Sequence, residues 1–159
     1  MIPYVYNDGG RAAAGFKGQV GDCVARSICI ATGRPYKEVY DRLAIGNATQ
    51  RKSKNSVAHK ATFGKRTAAH GIFTTRKWFK DYMHELGFRW VPTMTLGSGC
   101  QVHLDADELP KGRIIVRVTK HYAAVIDGVL YDIYDSGQDR ENRCVYGYWV
   151  YEGEVFNEA

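Results

Sequence analysis

The feature that most restricts this chain is a change of hydrophobic period near residue 87. Before it, apolar residues recur at helical spacing. Val24, Ile28 and Ala31 form the stripe of a helix expected over 23–32, with Asp22 offering an N-cap and Gly33 a C-terminal stop. A second, short helix from Pro35 places Tyr36, Val39, Tyr40 and Leu43 on one face, and from Gly46 to Gly71 the pattern dissolves into polar and basic residues. A third, over about 75–86, carries Trp78, Phe79, Tyr82 and Leu86 and closes at Gly87. Beyond it the letters alternate. Phe88–Met94 (an edge strand, given Pro92), Ile114–Val118, His121–Ile126, Val129–Tyr134 and Val145–Tyr151 read as strands, with a tight turn at Asp127-Gly128. Residues 104–112 read as a polar excursion with a Leu109-Pro110 corner, and the glycine-rich first 22 residues as a loop or extended arm. Helices first and antiparallel strands second predict an α+β fold, helices packed on one face of a sheet. One domain is expected over 1–159, with a helical half of about 1–87 and a sheet half of about 88–159.

A chain of 159 residues buries enough surface to need no disulfide or metal staple. The spacing of Cys23, Cys29, Cys100 and Cys144 fits neither a zinc motif nor a disulfide framework, and free thiols are expected. Cys100 and His103 lack the second pair a metal site needs, so no metal and no other cofactor is predicted. No apolar run approaches the ~20 residues of a membrane span. Met1-Ile2-Pro3-Tyr4 lacks the order of a secretion leader, which points to a cytoplasmic protein with no membrane partner.

Charge is unevenly placed. Ten basic residues and no acid fall between Arg42 and Lys80, in a chain of net charge +5. Such a block suits phosphates or an acidic partner, and the loop 51–66 at its centre is a candidate contact for nucleic acid or an acidic protein. The plainer reading is a solvated loop, since no nucleic-acid-binding signature accompanies it.

Chemistry concentrates in Gly18-Gln19-Val20-Gly21-Asp22-Cys23-Val24-Ala25-Arg26-Ser27. Cys23 falls in the first turn of the expected helix, where unpaired N–H groups and the dipole favour a thiolate. Its own N–H would help bind an oxyanion, and the preceding glycines would let a substrate backbone approach. The alternative is a small apolar residue opening a core helix. Cys29, deeper in that helix, reads as packing. His121 at a strand entry supplies a base, and the following hairpin supplies Asp132 or Asp135 to orient it. Parity decides between the two: a two-residue turn puts Asp132 on the face of His121, a three-residue loop or a bulge puts Asp135 there. The residues alone leave both open.

Gly21-Asp22-Cys23-Val24-Ala25-Arg26-Ser27 resembles the Gly-Ser-Cys-Trp-Ala-Phe-Ser segment around the nucleophile of papain-like cysteine peptidases. The order Cys, His, Asn or Asp is also theirs, and His121-Tyr122-Ala123-Ala124-Val125 is similar to the base-bearing strand of the bacteriocin-processing relatives. The chain as a whole looks more like compact papain-like proteins of phage and bacterial genomes than like papain itself. The resemblance implies a helical half carrying the thiol, facing a sheet half carrying His and Asp across a cleft. Asp135-Ser136-Gly137 falls where papain has Asn-Ser-Trp, which favours Asp135 as the orienting residue. Papain's oxyanion Gln lies six residues before its thiol. Lys17 holds that position here, and Gln19, two residues nearer, is the candidate for the role. The scaffold also hosts transglutaminases, acyltransferases and inactive relatives. The expected function is a cysteine hydrolase cleaving a peptide, isopeptide or related amide through Cys23, His121 and Asp135 or Asp132, by way of a thioester. The second expectation is an inactive papain-like module that binds nucleic acid or an acidic protein through its basic 42–80 segment. The letters name no particular substrate and no oligomeric state.

Overall fold

Helices α1 (Cys23–Thr32), α2 (Tyr36–Thr49) and α3 (Lys77–Leu86) come before all but one of the strands. We describe residues 2–17, 22–49, 72–137 and 143–156 of a computed structural model. The strands among them are β1 (Tyr4–Tyr6), β2 (Phe88–Pro92), β3 (Val102–His103), β4 (Arg113–Val118), β5 (His121–Ile126), β6 (Val129–Asp132), β7 (Cys144–Val145) and β8 (Gly147–Tyr151). Six form one sheet in the order β1-β6-β5-β4-β8-β2, and β3 and β7 form a small ribbon. Every pairing is antiparallel except β1 with β6. The change of period is therefore a change from helices to a largely antiparallel sheet, the α+β class. No helix among the described residues is long and apolar enough to cross a membrane.

Helix α1 is the centre of the molecule: every residue from Val24 to Thr32 is buried. It stops where expected, at Gly33 in the left-handed region (φ 77°), whose N–H donates to the Cys29 carbonyl at 2.8 Å. Its start differs from the expectation. Asp22 makes no side-chain cap, because its carboxylate is committed to charged partners described below. Helix α2 runs past Gly46 to Thr49, further than the apolar pattern indicates. A Cβ on Gly46 would lie 2.3 Å from the Trp78 ring, so the glycine that weakens the helical signal is what lets α3 pack closely on α2. Gly87 (φ 106°) ends α3 as expected.

The sheet is buried on both faces. Ile115, Tyr122 and Trp149 pack with Ile28, Val39, Leu43, Phe79 and Met83 of the helices. Ile114, Val116, Val118, Ala123, Val125 and Leu130 pack on the other side with Ile2, Leu104, Leu109 and Val145. The excursion read as polar thus supplies two apolar side chains that cover the face away from the helices. Pro92 closes β2 at the sheet edge, where its missing N–H costs no ladder bond.

Two further features depart from the sequence reading. The N-terminal arm contains β1, which pairs Tyr4 with Leu130 and Tyr6 with Asp132. Three residues with no alternation carry no strand signal of their own. Cys100 and Cys144 form a disulfide, against the expectation of free thiols, while Cys23 and Cys29 are free. The β3–β7 register sets Cys144 opposite His103, and the Cys100–Cys144 bond spans a sequence separation of 44 that no local spacing could reveal.

Candidate active site

Cys23 is the first residue of α1 and is half-buried, with a solvent-facing side at the mouth of a cleft. The first-turn N–H groups of a helix have no intrahelical partner, so they point out beside the sulfur. The Ser27 hydroxyl donates to the Cys23 carbonyl at 2.6 Å, tying down the first turn from the inside.

The base arrives through the β5–β6 hairpin. Asp127 and Gly128 both adopt positive φ (50° and 79°), the two-residue turn that matches strand twist, and Ile126 pairs with Val129. Continuing the Ala124–Tyr131 register makes Asp132 a diagonal neighbour of His121 on the same face. The side chains meet: His121 Nε2 lies 2.6 Å from Asp132 Oδ2, with His121 8% and Asp132 4% exposed. Nε2 donates to the carboxylate, and that leaves Nδ1 free to act as a base in the cleft that Cys23 also lines. The Tyr134 hydroxyl stands 3.4 Å from Nδ1 on the cleft side. Burial alone would pull the His121 pKa down. The hydrogen bonds to Asp132 and to Cys23, and then their charges, outweigh it and push it up to about 9 from the ordinary 6.5.

Asp132 is itself held on every side. Its Oδ1 accepts the Ile133 N–H at 2.8 Å and Arg26 Nη1 at 3.3 Å. Its backbone carbonyl accepts the Asn7 N–H at 2.9 Å and the Tyr4 hydroxyl at 3.1 Å, so β1 pins the strand end that carries the carboxylate. Arg26, only 2% exposed, reaches back along α1 with Nε 3.0 Å from Asp22 Oδ1. Asp22 also meets Arg11 Nε at 3.2 Å and accepts a hydrogen bond from the Tyr36 hydroxyl. Burial, then the Asp22 bond and charge, push the Tyr36 pKa up, so it stays a donor. One buried chain of alternating charge thus runs Arg11, Asp22, Arg26, Asp132, His121, and ends at the thiol. Its inner members, Asp22, Arg26 and Asp132, are each held between two partners, which is the condition under which buried charge is tolerated.

A cleft of about 540 Å³ opens over the sulfur, lined by Cys23, Thr74, Arg117, Lys120, His121 and Tyr134 among others. That volume suits a small substrate segment. The structure brings Cys23, His121 and Asp132 together and excludes Asp135. The Asp135 carboxylate turns away to accept the Gly137 N–H at 3.0 Å, closing a local turn. Asp135, favoured by the resemblance, is corrected to Asp132, because the turn has two residues and parity follows from that. Gln19 and the loop 51–66 lie outside the described residues. Cys29, 3% exposed, is packing as expected, and burial pushes its thiol pKa up. Arg26 and Tyr134 were missed. The available signal for Arg26 was a lone charge, four residues after Asp22, inside a helix with no other charge. Tyr134 had none. No family model matches the chain, and no curated protein or solved structure matches it.

Proposed function

We propose that the protein is a cysteine-dependent hydrolase or acyl transferase acting on a peptide, isopeptide or related amide, with a papain-like division of labour between helix and sheet. The observation that carries this is His121, fixed by a buried carboxylate through one ring nitrogen and lining the same cleft as a helix-start thiol. A structural histidine needs no such thiol, and a structural thiol needs no cleft.

In this reading the Cys23 proton passes to His121 Nδ1 and the sulfur attacks the carbonyl carbon. The C=O π pair moves to oxygen, where the first-turn N–H groups of α1 stabilise it. Collapse re-forms the carbonyl and breaks the C–N bond, and the imidazolium returns its proton to the leaving amine. The enzyme then holds a thioester, which water or an acceptor amine opens with His121 again taking the proton. Asp132 keeps Nε2 protonated and the ring aimed, and it stabilises the imidazolium. Arg26 is a positioning residue for Asp132.

The test is acylation by p-nitrophenyl acetate, followed by p-nitrophenolate release and peptide mass mapping. A burst with one acetyl group on the peptide containing Cys23 is expected, absent in Cys23→Ser and slowed at least about 100-fold in His121→Ala. Acetylation spread over lysines with no burst contradicts the reading. It would leave the alternative, a papain-like shape binding through the basic 42–80 segment.

A further inference from the structure

The walls of the cleft carry a charge pattern that its chemistry does not require. Arg26, Arg117 and Lys120 line it, and among the described residues no Asp or Glu does. Arg26 is consumed by Asp22 and Asp132. Arg117 and Lys120 are exposed and meet no carboxylate among the described residues. They flank the base from two directions. Arg117 projects from β4, one residue before the Val118 that pairs with His121, and also lines a neighbouring cavity of about 240 Å³ with Trp90 and Trp149. Lys120 precedes His121 directly, in the turn between β4 and β5, and holds φ 54°. Glycine would adopt that conformation without strain, so a lysine there is kept at a conformational cost.

We propose that Arg117 and Lys120 form an anion-recognising rim, and that the substrate of this cleft carries a carboxylate close to the bond attacked by Cys23. The inference rests on the cysteine-hydrolase reading and adds a substrate class to it. Two cations without a carboxylate partner among the described residues, beside a low-dielectric wall, concentrate anions at the mouth, and a guanidinium and an ammonium grip a carboxylate once it arrives. The carboxylate belongs either to an acidic side chain or to a free chain terminus; the chemistry of recognition is the same.

Iodoacetate and iodoacetamide test this with the full chain, because both alkylate a thiolate with loss of iodide and differ in charge. The readout is the ratio of their rates at Cys23, followed by peptide mass mapping. The wild-type ratio is expected to fall about tenfold in Arg117→Gln/Lys120→Gln and to fall as salt is raised. Lys37→Gln/Lys77→Gln, which removes the same charge at residues that do not line the cleft, is expected to leave it in place. A ratio equal in wild type and the Arg117→Gln/Lys120→Gln variant overturns the proposal. Protection of Cys23 from iodoacetamide then assigns the carboxylate: by N-acetylglutamate α-amide to a side chain, by N-acetylglycine to a terminus. Equal protection by neutral N-acetylglutamine α-amide, or protection by none of the three, counts against an anion site. Failure of the underlying reading looks different, since His121→Ala would then leave the rates of both reagents at Cys23 unchanged.

Discussion

Replacing Asp132 with Asn keeps the shape of the side chain and removes the charge between Arg26 and His121. The consequence for stability depends on pH, and its sign follows from the direction of the His121 shift. The folded protein holds the His121 proton up to about pH 9, whereas an unfolded chain releases it near the ordinary 6.5. The stabilisation is therefore complete below about pH 6.5 and is lost as pH rises through 9. A rise of that size corresponds to about 3 kcal/mol. Asp132 is the largest of the causes that raise it, ahead of Cys23. With Asn, one carbonyl oxygen must serve both Arg26 Nη1 and His121 Nε2, and burial then governs the ring. Urea unfolding of wild type and Asp132→Asn at pH 6 and pH 10 isolates the effect, because all other titrations are shared. The variant should be less stable at both values, and its deficit should be larger at pH 6 by about 2–3 kcal/mol. A deficit that does not change with pH would refute the assignment of Asp132 as the charge partner of His121.

Arg26→Met replaces the guanidinium by an apolar chain of similar reach and leaves Asp132 and Asp22 without their shared cation. A loss of about 3–5 kcal/mol in urea unfolding is expected, and undiminished stability would mean the buried chain of charge contributes nothing. Asp135→Asn should leave acylation by p-nitrophenyl acetate within about twofold of wild type, since that carboxylate serves only a local turn; a loss comparable with that in His121→Ala would return the orienting role to Asp135. Gly46→Ala should lower the thermal midpoint, at a cost of about 1–3 kcal/mol for overpacking against Trp78, although alanine is the better helix former by about 1 kcal/mol. A stabilised variant would show that α2 and α3 are not in close contact there.

How much of this was legible before the structure varies with the range of the interaction. The helix carrying Cys23, the αL glycines that end α1 and α3, and the strand opening with His121 are set by neighbours within a few residues, and the letters showed them. The choice between Asp132 and Asp135 turned on one local quantity, the number of residues in the turn, which Asp127-Gly128 hints at but which the backbone angles decide. Analogy with papain pointed to Asp135, because matching short windows ignores strand parity. What stayed hidden was long-range. One partner of Arg26, Asp132, lies 106 residues away, β1 finds its place only against β6, and the Cys100–Cys144 bond joins segments with no common spacing rule. The reach of α2 beyond Gly46 was misjudged because a glycine weakens a helix on its own terms and strengthens it when a tryptophan ring needs the space.

The claim on which the account depends is that the Cys23 sulfur and the His121 ring share a proton. An NMR titration of the His121 imidazole in wild type and in Cys23→Ala tests it most directly, since the thiol helps to raise the ring's pKa through a hydrogen bond and its charge. The account predicts a midpoint of about 9 in wild type and a clearly lower one in Cys23→Ala. The same midpoint in both proteins would mean that sulfur and imidazole do not meet, and would contradict it.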